Sequence, residues 1–314
     1  VLRLLGGRLA EAAFTLSLLS FATFLLIGLM PGDPIDLAIA SDPRLSAEDA
    51  ARLRALHGLD RPLLSRYLAW AAGVLEGRFG FSRLYAKPVA EVLADALVAS
   101  LALLLPATIL SAVIGIALGV LAARKPRSGL DYAVNLVAFA GVSLPSFWLG
   151  ILLIILFAVT LGWLPAGGPP DEPTLASWLR HLALPMVTLT VLGLAAYARQ
   201  TRAAMLEALA EPWIRTAYAK GAPERAVVLR HAFPNAAVPI VTVAALDFAT
   251  LVSGALVTEA VFAWPGMGKT IYDAILGNDY NLALLALLLS AAVTLAASLI
   301  ADLAQLAIDP RVRT

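Results

Sequence analysis

The 314-residue chain has no cysteine and only three histidines. Without a thiol there is no disulfide framework, thiol nucleophile or thiolate metal site, though a lack of disulfides fits any compartment. His57, His181 and His231 stand far apart in sequence, none at metal-ligand spacing with another, so no metal centre is expected. Charge is scarce too: Asp, Glu, Lys and Arg make up 14% of the chain, where a soluble domain carries about 25%. A formal net charge of +1 gives no field for a polyanion, which argues against a nucleic-acid partner. There is no internal repeat, low-complexity tract or flexible linker. What the sequence has in excess is apolar residues, 60% of the total with a mean hydropathy of +0.84, and this composition is that of a membrane protein.

A helix that crosses a bilayer needs about 20 apolar residues. Six runs qualify: 9–30, 97–123, 132–161, 182–206, 236–262 and 281–307. The first follows Arg3 and Arg8 as a signal peptide would, but no small-residue cleavage site precedes Pro31, so it is expected to remain as an anchor. Pro106, Pro145 and Pro185 are expected to kink spans rather than end them. Six spans put both termini on one side, and the basic residues say which. Of the 23 Lys and Arg, Arg3, Arg8, Arg124, Lys125, Arg127, Arg199, Arg202, Arg215, Lys220, Arg225, Arg230, Arg311 and Arg313 fall on the side of the termini. The two short loops opposite hold only Arg180 and Lys269. By the positive-inside rule the termini are cytoplasmic.

The long outer segment, residues 31–96, opens with two prolines in Met30-Pro-Gly-Asp-Pro34 and then reads as helical. Ser46–Gly58 has an N-cap serine and an apolar face, and Leu63–Leu75 is an amphipathic piece whose Tyr67 and Trp70 suit a membrane interface. In the third span Ser143, Pro145 and Ser146 interrupt an apolar helix. Such a break occurs where backbone faces protein or a water-filled path, or it is a kink that serves packing. Within the last five spans the acids are Asp247, Glu259 and Asp302. Asp247, about a dozen residues into its span, is the candidate for a polar path, whereas the other two lie near span ends and read as structural.

Ala263-Trp-Pro-Gly-Met-Gly-Lys-Thr270 fits a relaxed phosphate-binding pattern. The stricter pattern wants glycine at 263 and a preceding strand in an α/β domain; here a membrane span precedes. The loop reads instead as a turn that ends a span. No catalytic constellation is present, neither His-Glu-x-x-His nor a paired Ser and Lys within spans, and no cofactor is expected in this chain.

The stretch from Pro212 to Asn235 is the long charged segment of the second half. It holds Arg215, Lys220, Arg225 and Arg230, with Arg202 just upstream, against one acid, Glu224. Two amphipathic helices, Trp213–Lys220 and Glu224–Phe233, are expected on either side of Gly221, with Pro223 suited to the first turn of the second. Gly221 would let them meet at a sharp angle without a Cβ clash.

This stretch resembles the coupling loop of binding-protein-dependent ABC importer permeases, Glu-Ala-Ala, three residues, Gly, nine residues, Ile-x-Leu-Pro. Ala217, Gly221 and Pro234 match that motif. Arg215 and Thr216 depart from it, and the run Arg-Thr-Ala-Tyr-Ala-Lys-Gly is similar to the variant of the dipeptide, oligopeptide and nickel branch. PGDP (31–34), GLDRPL (58–63), GRFGFS (77–82), SLPSFWLG (143–150), ARQTRAAMLE (198–207), TEAVFAWPGMG (258–268) and DPRVR (309–313) carry the resemblance across nearly the whole chain.

The resemblance implies an all-α membrane protein with six transmembrane helices of the type I ABC importer permease kind and a helical extracytoplasmic segment between the first two. It divides into an anchor helix (1–30), the outer segment (31–96), a five-span core (97–307) with a coupling loop at 207–235, and a cytoplasmic tail (308–314). It implies a permease subunit in a bacterial inner membrane, in contact with lipid and paired with a second, related permease. Two cytoplasmic ATPases hydrolyse the ATP and an extracytoplasmic solute-binding protein delivers substrate. Residues Arg215, Thr216, Ala217, Lys220, Gly221, Glu224, Arg225 and Pro234 would couple to the ATPase, with Ala217 small enough for its close approach. Ser143, Pro145, Ser146 and Asp247 would line the path. The rival reading is a secondary transporter or channel working alone, which would want several intramembrane polar groups in register. Peptides, nickel complexes and other small solutes all remain open as substrates.

Overall fold

The computed structural model describes residues 2–29, 52, 61–172, 174–250 and 255–308. The helix expected at Ser46–Gly58, all but residue 52, and the tail from 309 lie outside the described residues. Among the described residues five helices are long and apolar enough to cross a membrane, and a bent pair gives a sixth span when its two helices are taken together. The description is all-helical apart from one two-residue hairpin.

The chain divides into two compact units. The first comprises residues 1–95 and 270–292. Here α1 (Leu2–Gly28) packs against α2 (Leu63–Leu75), the amphipathic piece read from sequence with the same bounds. Tyr67 and Trp70 do not simply face an interface. Tyr67 sits edge-on to Phe21 and Phe24, at centroid distances of 5.1 and 5.6 Å, and its hydroxyl lies 2.9 Å from Ser20 Oγ. The strands β1 (Phe81–Ser82) and β2 (Lys87–Pro88) pair antiparallel. Asp279 fixes this hairpin by accepting from Ser82 Oγ at 2.6 Å and from the Leu84 amide at 3.1 Å.

The second unit comprises residues 96–269 and 293–314. It takes most of α3 (Val89–Arg124), a helix of 36 residues. At 1.5 Å per residue that is about 54 Å, well beyond a hydrocarbon core of about 30 Å. The excess explains why an apolar run starting at 97 understates the helix: Val89–Ala96 continues it with Glu91 and Asp95 outside the apolar stretch. Pro106 and, in α6 (Leu175–Ala210), Pro185 are accommodated without ending their helices. Pro145 does end one. The third span is α4 (Gly129–Ser143) and α5 (Ser146–Leu153, continued by a π-helical segment Ile154–Thr160), bent by 103° at the break. Pro145 has extended backbone, ψ 137°, and has no amide hydrogen to continue the ladder.

Helix α6 is the centre of this unit, packed against α4 and the fifth span. Its buried positions include Thr188, Ala195, Ala198 and Thr201, side chains small enough for helix axes to approach closely. A bidentate pair joins α6 to the start of α4: Arg202 Nε and Nη2 donate to Asp131 at 2.5 and 2.8 Å.

Candidate functional site

The hairpin that follows α6 begins with α7 (Pro212–Ala219), whose proline stands in the first turn where a missing amide costs nothing. Its buried side is Ile214 and Ala217, one helical turn apart, packed against Met205, Ala208, Val227 and Val228. Its other side, Trp213, Arg215, Thr216, Tyr218 and Lys220, is exposed. The helix ends at Gly221 with φ +80°, where the Gly221 amide donates to Tyr218 O at 2.9 Å and the Ala222 amide to Ala217 O at 3.2 Å. A Cβ at Gly221 would meet nothing within 4 Å. The glycine therefore serves the left-handed backbone and not the avoidance of a clash, as the sequence reading had it.

One further expectation changes here, and two of the candidate residues have partners within the chain. The second amphipathic segment is not a separate short helix. The chain is helical from α8 (Glu224–Ala226) through a π-helical turn at Val227–Ala232 into α9 (Phe233–Thr250), so the fifth span starts about a dozen residues before 236, and Pro223 precedes that helix as its N-cap. Ala217 faces its own chain, and its small size serves the packing of α7 onto α6. Glu224 pairs internally, accepting from Arg124 Nε and Nη2, both at 2.9 Å. Arg225 and Pro234 are exposed.

The Ala263–Thr270 loop has the opposite construction. Glu259, on α10 (Leu256–Val261), is fully buried and turns its carboxylate onto the first turn of α11 (Met267–Leu276). It accepts from the Gly268 amide at 2.7 Å, the Lys269 amide at 3.2 Å and Ser100 Oγ at 2.5 Å. A Cβ at Gly266 would stand 2.2 Å from Glu259 Oε1. The amides that would cradle a phosphate already hold the chain's own carboxylate, which removes the physical basis for nucleotide binding there.

Of the four residues read as a path, Ser146 and Asp247 line one cavity of about 300 Å³. Ser143 and Pro145 form the break in the third span but are not among that cavity's lining residues. Among the described residues no group of three or more His, Cys, Asp and Glu is arranged to hold a metal ion.

Two family models cover almost the whole sequence. Residues 115–314 match the binding-protein-dependent transport system inner membrane component, and residues 1–101 match the N-terminal part of the same membrane component. The chain belongs to this family. It is 35% identical over 298 residues to the oligopeptide transport system permease protein AppB of Bacillus subtilis (strain 168), with 94% of each chain covered. It is 38% identical over 331 residues to the di/tripeptide transport system permease protein DppB of Pseudomonas aeruginosa (strain UCBPP-PA14), covering 98% of this chain and 96% of that one. Among solved structures, the MetNI methionine ABC transporter in an inward-facing conformation aligns with a TM-score of 0.59 at 23% identity, over 71% of this chain and 98% of that one. That likeness concerns the fold alone.

As an inner-membrane component of a binding-protein-dependent ABC system, the permease works with ATPase subunits and a binding protein, and transport rather than catalysis is its part. Trp213 and Tyr218, absent from the site read by motif, belong to the exposed face of α7. Helical spacing could have found them: they flank Ile214 and Ala217, about 70° to either side of the buried direction, and stay about half exposed. The Arg124–Glu224 and Asp131–Arg202 pairs carried no such signal.

Proposed function

We propose that this permease forms the translocation path of an ATP-driven peptide importer and is driven through the exposed face of α7. The carrying observation is the division of that helix. One side is locked into the chain's own core, and the other presents Trp213, Arg215, Thr216, Tyr218 and Lys220 outward. A helix held in this way moves as one body with the spans on either side, so force applied to its outer face reaches the membrane. Closure of the ATPases on nucleotide carries α7 with it and tilts those spans. Gly221, with Arg225 and Pro234, completes the surface, and Arg215, Lys220 and Arg225 pair with acids on the ATPase. Peptides are the substrate class because the relatives that cover the whole chain are named as oligopeptide and di/tripeptide permeases. The distribution of Lys and Arg supports cytoplasmic termini and a cytoplasmic α7. A second, related permease completes the path. The break at Ser143, Pro145 and Ser146, together with Asp247, lies along it.

Gly221→Asp tests the coupling. Aspartate tolerates a left-handed backbone better than most residues, and its side chain enters open space, so the complex should assemble while ATP-driven peptide uptake and substrate-stimulated ATP hydrolysis are lost. Normal uptake by this variant would refute the coupling role. A stand-alone transporter predicts uptake by the purified chain in liposomes without ATP.

A further inference from the structure

The cavity that holds Asp247 has a polarity of one sign. Its lining contains the carboxylate of Asp247 and the hydroxyls of Thr108, Ser111, Ser146 and Thr258, and there is no Lys, Arg or His among the described lining residues. Thr258 is almost fully buried, at 1% exposure, and its hydroxyl has no hydrogen-bond partner among the described residues. Tyr197 stands beside Asp247, outside the cavity lining, and brings no positive charge. Leucine side chains such as Leu104 and Leu189 make the rest of the wall. A buried hydroxyl without a partner is uncommon in a folded protein, because its desolvation is not offset. At the edge of a cavity it marks a place where something else supplies the bond.

We infer that this cavity is a subsite for a primary ammonium, in the first place the amino terminus of the transported peptide. An ammonium offers three N–H donors and no acceptor. A carboxylate and neighbouring hydroxyl lone pairs are the matching set, and inside an apolar wall the attraction between unlike charges is stronger than in water. The carboxyl end of a peptide would find hydroxyl donors but also Asp247's like charge, with no Lys, Arg or His among the described lining residues to offset it. The α-amino group, with a pKa near 7.7–8.0, is mostly protonated at neutral pH. A space of about 300 Å³ is at the small end of ligand pockets, so it takes the first residue or two of a peptide rather than a long chain. The side-chain amine of a lysine has the same chemistry. This inference rests on the peptide-importer reading and adds to it a residue and a chemical group.

The chain's lack of cysteine gives a direct test. Leu192, an apolar lining residue, is replaced by Leu192→Cys in the complete detergent-solubilised complex, and the rate of labelling of this chain by a small maleimide is measured. Dialanine at millimolar concentration should slow labelling at least fivefold, and N-acetyl-dialanine should leave it unchanged. Asp247→Asn should abolish the protection, while Asp247→Glu, which keeps the carboxylate, should retain part of it. Protection by N-acetyl-alanyl-lysine would extend the site to side-chain amines, and its absence would restrict the site to the amino terminus. Equal protection by the free and acetylated dipeptides, survival of protection in Asp247→Asn, or its loss in both Asp247 variants would overturn the inference. These outcomes are separate from the importer reading, which stands or falls on ATP-driven peptide uptake by the unmodified complex in proteoliposomes.

Discussion

Two glycine-containing turns in this permease carry a Lys close to a Gly, and they are built for opposite ends. At Gly221 the glycine is needed for a φ of +80°, a Cβ would meet nothing, and the helix before it turns one face outward. At Gly266 the glycine is needed because Glu259 is pressed against it, and the turn is closed inward around a buried carboxylate. By sequence pattern the second is the better candidate for a ligand, since it approximates a phosphate loop. By construction it is the one with nothing left to offer. Its amides are satisfied within the chain, whereas the first turn presents side chains that its own fold does not use.

The largest effect should come from opening the inward turn. Glu259→Ala deprives Ser100 Oγ and the Gly268 and Lys269 amides of their acceptor. Each buried donor left unpaired costs about 1–3 kcal/mol, so the sum is several kcal/mol. The expected outcome is little or no monodisperse complex after detergent extraction, with Glu259→Gln intermediate. A complex of normal yield and thermal stability would mean that the turn is not held by Glu259, and the contrast with Gly221 would fail.

Next is the tie on the helix leading into the outward hairpin. Arg202→Ala leaves Asp131, only 2% exposed, without its guanidinium. Breaking a buried pair by removing one partner costs about 3–5 kcal/mol. Asp131 keeps the Arg127 amide at 2.8 Å and Asn135 Nδ2 at 2.8 Å, which places the expected loss at the lower end of that range. Thermal unfolding of the purified complex reads it, and replacing both partners should recover part of the loss.

These contrasts show what sequence could and could not reveal. The spans, the amphipathic helix at Leu63–Leu75 and the break at Pro145 were legible because each follows from residues adjacent in sequence: an apolar run, a helical period, a missing amide. The partners of Glu259 and Arg202 were not. Glu259 meets Ser100 across 159 residues and Arg202 meets Asp131 across 71, and no local rule pairs them. Arg202 looked like one more topological charge, and Glu259 like an acid near a span end. Gly221 was found for a partly mistaken reason, since glycine signals both close approach and positive φ and only the backbone tells them apart. The hairpin was read as two short helices because its charge stops the apolar count, although the helix itself continues from Glu224 into the fifth span.

A milder change separates backbone from surface at Gly221. Gly221→Ala keeps the surface neutral but places a Cβ on a left-handed residue, a cost of about 1–2 kcal/mol. Gly221→Asn adds a larger side chain to a residue type that adopts this conformation more readily. Asn should therefore be the more stable of the two in thermal unfolding. If Ala were the more stable, the φ argument for this turn would be wrong, and with it half of the contrast with Gly266.

The smallest stability effect, joined to a large functional one, belongs to Trp213. Its side chain is 48% exposed on α7, flanking the buried Ile214 and Ala217. Substitutions at such surface positions change stability by about 0.5 kcal/mol or less, so Trp213→Ala should melt with the unmodified complex. A large aromatic exposed on a rigid helix is nevertheless the kind of side chain that dominates binding when it enters a partner's pocket. Uptake and substrate-stimulated ATP hydrolysis should fall at least tenfold, while the basal hydrolysis of the isolated ATPases is unaffected. Ile214→Ala, on the buried face of the same helix, should instead lower stability by about 2–5 kcal/mol. If both variants lost stability and activity together, the two faces of α7 would not be doing different jobs, and the outward turn would be as structural as the one around Glu259.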